Sequence, residues 1–138
     1  MKQFGFTLIE LLITIALIVI ISSIAVPNFL GMINSNRAAG DVNETLSGLN
    51  HARAEAIKCR GDVTFSITDG GESYTVSSSD PGCVVRELDR SLELGADANA
   101  SITFSSLGKS DCDSGCEISV DGRKIYVYST GYIGRLST

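Results

Sequence analysis

The most informative chemical group in the sequence is a single carboxylate placed inside an apolar run. Glu10 lies in the segment 6–26, whose only other polar residues are two threonines and two serines. An ionised carboxylate inside a lipid bilayer costs on the order of a few kcal/mol unless it meets a positive group. We therefore expect Glu10 to pair with a counter-charge.

The other residues that could do chemistry do not form a recognisable active site. His51 is the only histidine, and its place on a predicted helix indicates a surface or partly buried residue rather than a base. Asp111 and Asp113 could offer oxygen ligands to calcium, but no spaced acidic loop surrounds them, so solvated carboxylates are the simpler interpretation. The sequence predicts no enzyme activity, no cofactor and no metal.

Four cysteines follow the apolar run, and an even number on an exported domain indicates disulfides. Three connectivities are possible. We favour Cys59 with Cys83, which would tie a helix end to a strand, and Cys112 with Cys116, which would close a tight loop containing a glycine. The alternative, a zinc site, is disfavoured because the cysteine spacing is not a zinc pattern.

The segment 6–26 is long enough to cross a membrane. Its 21 residues would form a helix of about 31 Å, close to the thickness of the bilayer hydrocarbon. Lys2 and the chain's initial amine are positive, which predicts that this end stays in the cytoplasm and that the remainder faces away from it. About 110 residues remain beyond the leader and this segment, which is enough for one small domain.

The charge balance disfavours nucleic acid as a general ligand. Eleven Lys and Arg residues stand against sixteen Asp and Glu residues, giving a net charge of −5. Because Lys2 and Glu10 cancel, the whole excess lies beyond the membrane segment, whereas binding to a phosphate backbone depends on clustered cations.

Residues 5–10, read together, resemble the processing motif of type IV pilin-like proteins. The resemblance implies that a prepilin peptidase cuts between Gly5 and Phe6 and methylates the new N-terminus at Phe6. It also implies that Glu10 pairs with the N-terminal amine of a neighbouring subunit in a filament. Pro27 stands where these proteins carry a helix-loosening proline. An ordinary signal peptide or signal anchor is the alternative, but the cleavage site it would need at 22–25 is weak and Glu10 argues against it.

A long helix is predicted from Phe6 to about Cys59. Pro27 and Gly31 predict a kink or a locally melted turn between residues 25 and 31, although a bend without an assembly role is the alternative. From residue 33 the pattern is amphipathic. We expect a core-facing stripe of Val42, Leu46, Leu49, Arg53 with its neighbour Ala52, and Ala56. Asp41, Glu44, Asn50 and Glu55 are expected to face outward. The predicted organisation is a leader at 1–5, a transmembrane and assembly segment at 6–32, and a head at 33–138.

The head beyond the helix, 62–138, is predicted to be rich in β-strands because apolar residues there alternate with polar ones. Turns rich in Asp and Gly predict two hairpins. The expected strands are 63–67, 74–76, 83–85, 92–94, 102–104, 117–120 and 124–128, with a charged stretch at 86–90 and loops at 95–100 and 107–115. The fold class is therefore α+β, a long N-terminal helix packed against an antiparallel sheet.

Two further stretches resemble the FimT and GspH group of minor pilins and type II secretion minor pseudopilins. These are residues 52–58 and the C-terminal half, with Phe104, Gly108 and the stretch 129–131. The resemblance implies a head in which a long helix packs on antiparallel sheets. DNA-binding members of the FimT type carry two arginines near the C-terminus, where this chain has Tyr132 and Gly134, so a DNA-binding role is disfavoured.

The function expected from these features is that of a minor pilin or minor pseudopilin near the tip of a type IV pilus or type II secretion pseudopilus. The expected location is the bacterial inner membrane, crossed once with the head in the periplasm, and then the filament. Expected partners are other pilins or pseudopilins, the prepilin peptidase and methyltransferase, and the assembly platform. A DNA-binding minor pilin of natural transformation, a major pilin and a membrane-anchored enzyme are the alternatives.

Overall fold

The computed structural model describes residues 6–83, 85, 88–92 and 100–135. The predicted leader, with Gly5, lies outside these residues, as do the end of the strand predicted at 92–94 and most of the loop predicted at 95–100. The described chain contains one long α-helix and seven β-strands. It divides into two compact units, Met1–Asn36 and Arg37–Thr138. We call the described part of the second unit the head.

Helix α1 spans Leu8–Cys59, as the apolar run and the amphipathic pattern together predict. It stays helical through Pro27 and Gly31, so no melted turn interrupts it within the described residues. At its C-terminal end Lys58 lies in the last turn, where a cation favours the helix dipole. Arg60 then adopts a left-handed conformation, with φ of 57°, and this ends the helix.

The first sheet of the head has four antiparallel strands in the order β3-β2-β1-β4. Their bounds are Val63–Thr68 for β1, Ser73–Ser77 for β2, Leu88–Ser91 for β3 and Ser101–Phe104 for β4. A short 3-10 turn, Asp69–Gly71, joins β1 to β2, which confirms the first predicted hairpin. In β1 the buried and half-buried residues alternate, as expected for a strand with one face on the core.

The second sheet has three antiparallel strands in the order β5-β6-β7. Their bounds are Cys116–Val120 for β5, Arg123–Val127 for β6 and Ile133–Arg135 for β7. The turn between β5 and β6 consists of Asp121 and Gly122, both with positive φ, which confirms the second predicted hairpin. The fold class is therefore α+β with antiparallel sheets, as the sequence predicts.

One core holds the head together. Its helix side is formed by small and aliphatic residues, which let α1 approach the sheets closely. Gly48 is a point of close approach, because a side chain there would meet the rings of Tyr74 and Phe65. The main buried residues are Val42, Leu49, Ala52 and Ala56 from α1, Val63, Phe65, Tyr74, Val76, Ile102 and Phe104 from the first sheet, and Ile118, Val120, Ile125 and Val127 from the second.

Three predictions about the head are wrong. The strand expected at 83–85 is not found, since Cys83 and Val85 lie outside any strand. Strand β3 instead forms at Leu88–Ser91, in the stretch expected to be a charged connection. Strand β7 was not expected, and it forms by pairing with β6. Asp41 is buried rather than outward, because it lies on the same helix stripe as Ala38, Val42 and Thr45.

Candidate assembly site

The N-terminal end of α1 is closed by a reciprocal pair of side chains, Thr7 and Glu10. The Thr7 carbonyl accepts the first helical hydrogen bond, from the Leu11 amide at 3.3 Å. Thr7 Oγ1 accepts from the Glu10 amide at 3.3 Å, and Glu10 Oε2 accepts from the Thr7 amide at 2.9 Å. This is a capping box, which satisfies two amides that the start of a helix leaves without partners.

The capping box determines how the Glu10 carboxylate is presented. Thr7 Oγ1 also donates to Oε2 of Glu10 at 2.8 Å, so both bonds from Thr7 end on the same carboxylate oxygen. Within the described residues neither bond uses Oε1. The arrangement holds the carboxylate beside the start of the helix. The role of Thr7 is not among the features predicted from the sequence, although a threonine followed three residues later by a glutamate is a recognisable capping signal.

The segment that follows Glu10 exposes apolar side chains on all sides. Every residue from 6 to 32 is exposed in the described chain. The most apolar window of α1 has a mean hydropathy of 2.7, and none of that window is buried against the rest of the described chain. By length and composition this helix is able to cross a membrane. A surface of this kind in water would be unstable, so it requires lipid or other helices as its environment.

Two hydroxyl groups of the segment form hydrogen bonds within α1 itself. Thr14 Oγ1 donates to the Leu11 carbonyl at 2.8 Å, and Ser23 Oγ donates to the Ile20 carbonyl at 2.7 Å. Such local bonds let hydroxyl groups lie in hydrocarbon at little cost. Glu10 is the only charged residue in the segment 6–36. It is therefore the one group there whose charge calls for an external partner.

Both predicted disulfides are present. Cys59 at the end of α1 is joined to Cys83. Cys112, which lies just before β5, is joined to Cys116, the first residue of that strand. The first closes a loop with a sequence separation of 24 and fixes the helix end to the segment after β2. The second closes a loop with a separation of 4, in which Gly115 donates its amide to the Cys112 carbonyl at 3.0 Å.

The remaining candidate groups are not brought together. His51 lies half-buried on α1, and its Nε2 has no hydrogen-bond partner among the described residues. Asp111 Oδ1 accepts from the Thr103 amide at 3.1 Å, so this carboxylate is engaged with β4. Asp113 is exposed. In the part of the chain that the structure describes, no three His, Cys, Asp or Glu side chains are placed to hold a metal ion together.

Polar contacts fix the head's part of α1 to both sheets. Glu44 Oε1 accepts from the Tyr74 hydroxyl at 3.0 Å on the first sheet. Arg53 Nε donates to the Gly108 carbonyl at 3.1 Å, in the loop after β4. On the second sheet, the Arg135 guanidinium donates to Asn43 Oδ1. Arg135, the one cation of the C-terminal stretch that could serve a phosphate, therefore contacts the helix.

Comparison with known proteins agrees with this geometry. The family model described as the prokaryotic N-terminal methylation motif matches residues 1–26. Two crystal structures of the type IV minor pilin FimU from Pseudomonas aeruginosa strain PAO1, in different crystal forms, share the fold. The chain is type IV pilin-like, in its first segment and in its fold. A search of curated proteins finds no match.

The likeness between this type IV pilin-like chain and FimU extends over most of both proteins. One FimU structure is 19% identical with a TM-score of 0.56, and the alignment covers 72% of this chain and 92% of that one. The other is 18% identical with a TM-score of 0.60, covering 77% of this chain and 92% of that one. At these identities the likeness concerns the fold.

Proposed function

We propose that this type IV pilin-like protein is a minor pilin or minor pseudopilin. It is a structural subunit without enzymatic activity that assembles through its N-terminal helix into a type IV pilus or a type II secretion pseudopilus, near the tip. The observation that carries the proposal is Glu10, a lone carboxylate held beside the start of an exposed apolar helix. The methylation motif over residues 1–26 and the FimU-like fold support it.

The proposed maturation begins at the bacterial inner membrane. The segment 6–32 crosses it once, with the head in the periplasm, and a prepilin peptidase cuts after Gly5 and methylates Phe6. The cut creates a positive amine at Phe6, which is the only new charge in this apolar region. Gly5→Ala should therefore leave an uncut chain, seen by mass spectrometry as an unmethylated N-terminus at Met1.

The proposed assembly step pairs the Phe6 amine of one subunit with the Glu10 carboxylate of its neighbour, with the assembly platform bringing the helices together. In a low-dielectric bundle this pair would set the register, because a one-residue slip leaves two charges without partners. The Thr7 capping box supports this role by holding the carboxylate at the helix start. Pro27 lacks an amide for the helix ladder, and we propose that α1 loosens between Pro27 and Gly31 as it packs into the filament.

Substitution of Glu10 tests the assembly step. Glu10→Val should leave the protein in the membrane but reduce its amount in sheared filaments by about a hundredfold or more, since breaking a buried pair costs roughly 3–5 kcal/mol. Glu10→Gln can still accept from Thr7 but carries no charge, so it should fail to the same extent. Thr14→Val, which removes a locally bonded hydroxyl from the same segment, is the matched control and should assemble normally. Normal assembly of Glu10→Val would refute the proposal.

A further inference from the structure

The large apolar side chains exposed on the head are few and belong to three separate segments. Beyond residue 36, the described residues of this kind are Ile57 on α1, Leu107 after β4, and Tyr128 and Tyr132 on either side of the turn between β6 and β7. Leu107 is 77% exposed and Tyr132 is 62% exposed. Single exposed apolar residues are common on soluble proteins, so what matters is whether these four lie together.

The three segments meet at Gly108, which directly follows Leu107. A Cβ at Gly108 would lie 2.7 Å from Cδ1 of Ile57, so the backbone beside Leu107 rests on the Ile57 side chain. The Gly108 carbonyl in turn lies against Gly131, where a Cβ would be 1.8 Å from the oxygen. Gly131 belongs to the turn that carries Tyr128 and Tyr132. The three segments that carry the four exposed side chains thus meet at one backbone contact.

The two tyrosines are held as a pair. Their ring centroids are 5.9 Å apart, and the Tyr128 amide donates to the Tyr132 carbonyl at 2.9 Å. The Tyr132 ring lies over Gly134, where a Cβ would be 2.9 Å from the ring. The glycine at 134 therefore makes room for the tyrosine at 132. We call Ile57, Leu107, Tyr128 and Tyr132 the Leu107 patch.

Two cations lie beside the Leu107 patch, although the chain as a whole carries a net charge of −5. Lys109, next to Gly108, is exposed, and Arg53 Nε reaches the Gly108 carbonyl at 3.1 Å. The stretches 104–110 and 122–135, which supply three of the four patch residues, contain no Asp or Glu. A partner for this surface must therefore tolerate or supply negative charge around an apolar contact.

We propose that the Leu107 patch is the docking surface for the head of a neighbouring pilin-like subunit, one that presents an apolar side chain among carboxylates. The inference rests on the proposed function, since such a neighbour exists only in a filament. Aromatic residues surrounded by a polar rim are typical of the centre of protein interfaces. Ile57 lies about 30 Å along α1 from Arg37, where the head begins, so the patch occupies the end of the head's helix that is far from the membrane segment in sequence.

Other occupants fit the surface less well. A second copy docked patch to patch would place the cations Arg53 and Lys109 of both copies against each other, which is unfavourable. A nucleic acid strand needs several cations along its path. Arg135, the cation nearest the tyrosine pair in sequence, donates instead to Asn43 on α1.

A photo-crosslinking amino acid at position 107 of the full-length chain, in cells that assemble filaments, tests the proposal. We expect sheared filaments to contain a crosslink from position 107 to another pilin-like subunit, with the crosslinked peptide carrying Asp or Glu beside an apolar residue. The control is the same probe at Glu72, an exposed residue just before β2. It lies beyond the far end of β1, about 20 Å along that strand from the end of α1. The same crosslink from Glu72, or a crosslink from 107 to nucleic acid or to position 107 of a second copy, would overturn the inference.

Substitutions in the patch test how much it contributes to entry of the protein into filaments. The double variant Leu107→Ser with Tyr132→Ser should reduce the amount of the protein in filaments by about tenfold, because each removes a contact worth a large part of that factor. Lys109→Glu should also reduce it, and Lys109→Arg should not. Intact disulfides on non-reducing gels and an unchanged membrane level would show that the variants fold.

The Glu10→Val variant is measured in parallel so that the two proposals can fail separately. Normal incorporation of Glu10→Val overturns the proposed function. If Glu10→Val is lost from filaments while the Leu107 and Tyr132 double variant enters normally, the proposed function stands and the docking surface is wrong.

Discussion

The backbone of Gly131 lies directly against the carbonyl oxygen of Gly108. A Cβ at position 131 would be 1.8 Å from that oxygen and 3.0 Å from Nε of Arg53, which donates to the same carbonyl. Three parts of the head therefore meet at this point: the loop after β4, the turn between β6 and β7, and helix α1. No other residue type could allow so close an approach, and the φ of 77° at Gly131 also favours glycine.

Gly131→Ala should strongly destabilise the head. The added methyl would have to push apart two backbone segments, and we expect a loss of roughly 3 to 5 kcal/mol in the free energy of unfolding. Gly122→Ala is the matched control, because its φ is 72° but nothing lies within 4 Å of a Cβ there. It should lose only about 1 to 2 kcal/mol, the cost of a left-handed alanine. Denaturant unfolding of the full chain in detergent measures both, and equal losses would contradict the packing argument.

A second pair of glycines tests how closely α1 approaches the first sheet. At Gly48 a Cβ would lie 2.5 Å from the Tyr74 ring and 2.9 Å from the Phe65 ring, and these rings are themselves packed with centroids 5.0 Å apart. Gly48→Ala should therefore destabilise the head by about 1 to 3 kcal/mol through overpacking. Gly40→Ala, at an exposed helical position with nothing within 4 Å, should instead stabilise it by up to about 1 kcal/mol, since alanine favours helix. A gain from both substitutions would show that the rings can move aside.

The two disulfides should contribute unequally to stability. In the loop-entropy account, the closure of Cys59 with Cys83, with a separation of 24, is worth about 3.5 kcal/mol, and that of Cys112 with Cys116, with a separation of 4, about 2 kcal/mol. Replacing both cysteines of a pair by serine removes each crosslink without leaving a free thiol. The variant lacking the first crosslink should unfold at the lower denaturant concentration. The reverse order would mean that native contacts, rather than loop length, determine the effect.

Elements with a strong local pattern could be predicted from the sequence. Helix α1 was predicted because its apolar run and its amphipathic stripe have helical spacing over many turns, and it ends at Cys59 as expected. The hairpin of β5 and β6 was predicted because period-two alternation flanks Asp121 and Gly122. The two disulfides could be assigned because Cys112 and Cys116 enclose a short loop with a glycine, which favoured one of the three connectivities possible for four cysteines.

Elements that depend on tertiary pairing could not be predicted. Strand β3 lies at the edge of the first sheet, and its sequence does not show the alternation of apolar and polar residues by which strands are recognised. Strand β7 contains only three residues, one of them a glycine, and it exists because β6 offers an edge to pair with. The Leu107 patch is likewise invisible in the sequence, since its four residues come from segments that only the fold brings together.

The exposed face of the second sheet carries three titratable groups in contact, and these contacts predict a pH effect. Glu117 lies opposite Tyr126 on neighbouring strands, its Oε1 lies 2.7 Å from Lys124 Nζ, and it accepts a hydrogen bond from the Tyr126 hydroxyl. The bond from Lys124, followed by that from Tyr126, lowers the pKa of the Glu117 carboxyl below its ordinary value of 4.5. The bond to the Glu117 carboxylate raises the pKa of Tyr126 above its ordinary value of 10.0.

The sign of each effect follows from linkage. Because the pKa of Glu117 is lower in the folded chain, its contribution is present above the unfolded value of 4.5 and is lost as the pH falls through the lower folded pKa. Because the pKa of Tyr126 is higher in the folded chain, its contribution is present below pH 10.0 and is lost as the pH rises through the folded pKa. The bond between β5 and β6 should thus be intact across the neutral range.

Substitution of Tyr126 separates the two donors to Glu117. Tyr126→Phe keeps the ring but removes the hydroxyl, so the pKa of Glu117 should rise part of the way towards its ordinary value and remain lowered by Lys124. Lys124→Gln should raise the pKa of Glu117 further, because the Lys124 bond is the larger cause. Carboxyl carbon shifts of Glu117 followed by NMR across the acid range measure both. If the Tyr126 substitution leaves the pKa of Glu117 unchanged, the hydroxyl does not donate to this carboxylate in solution.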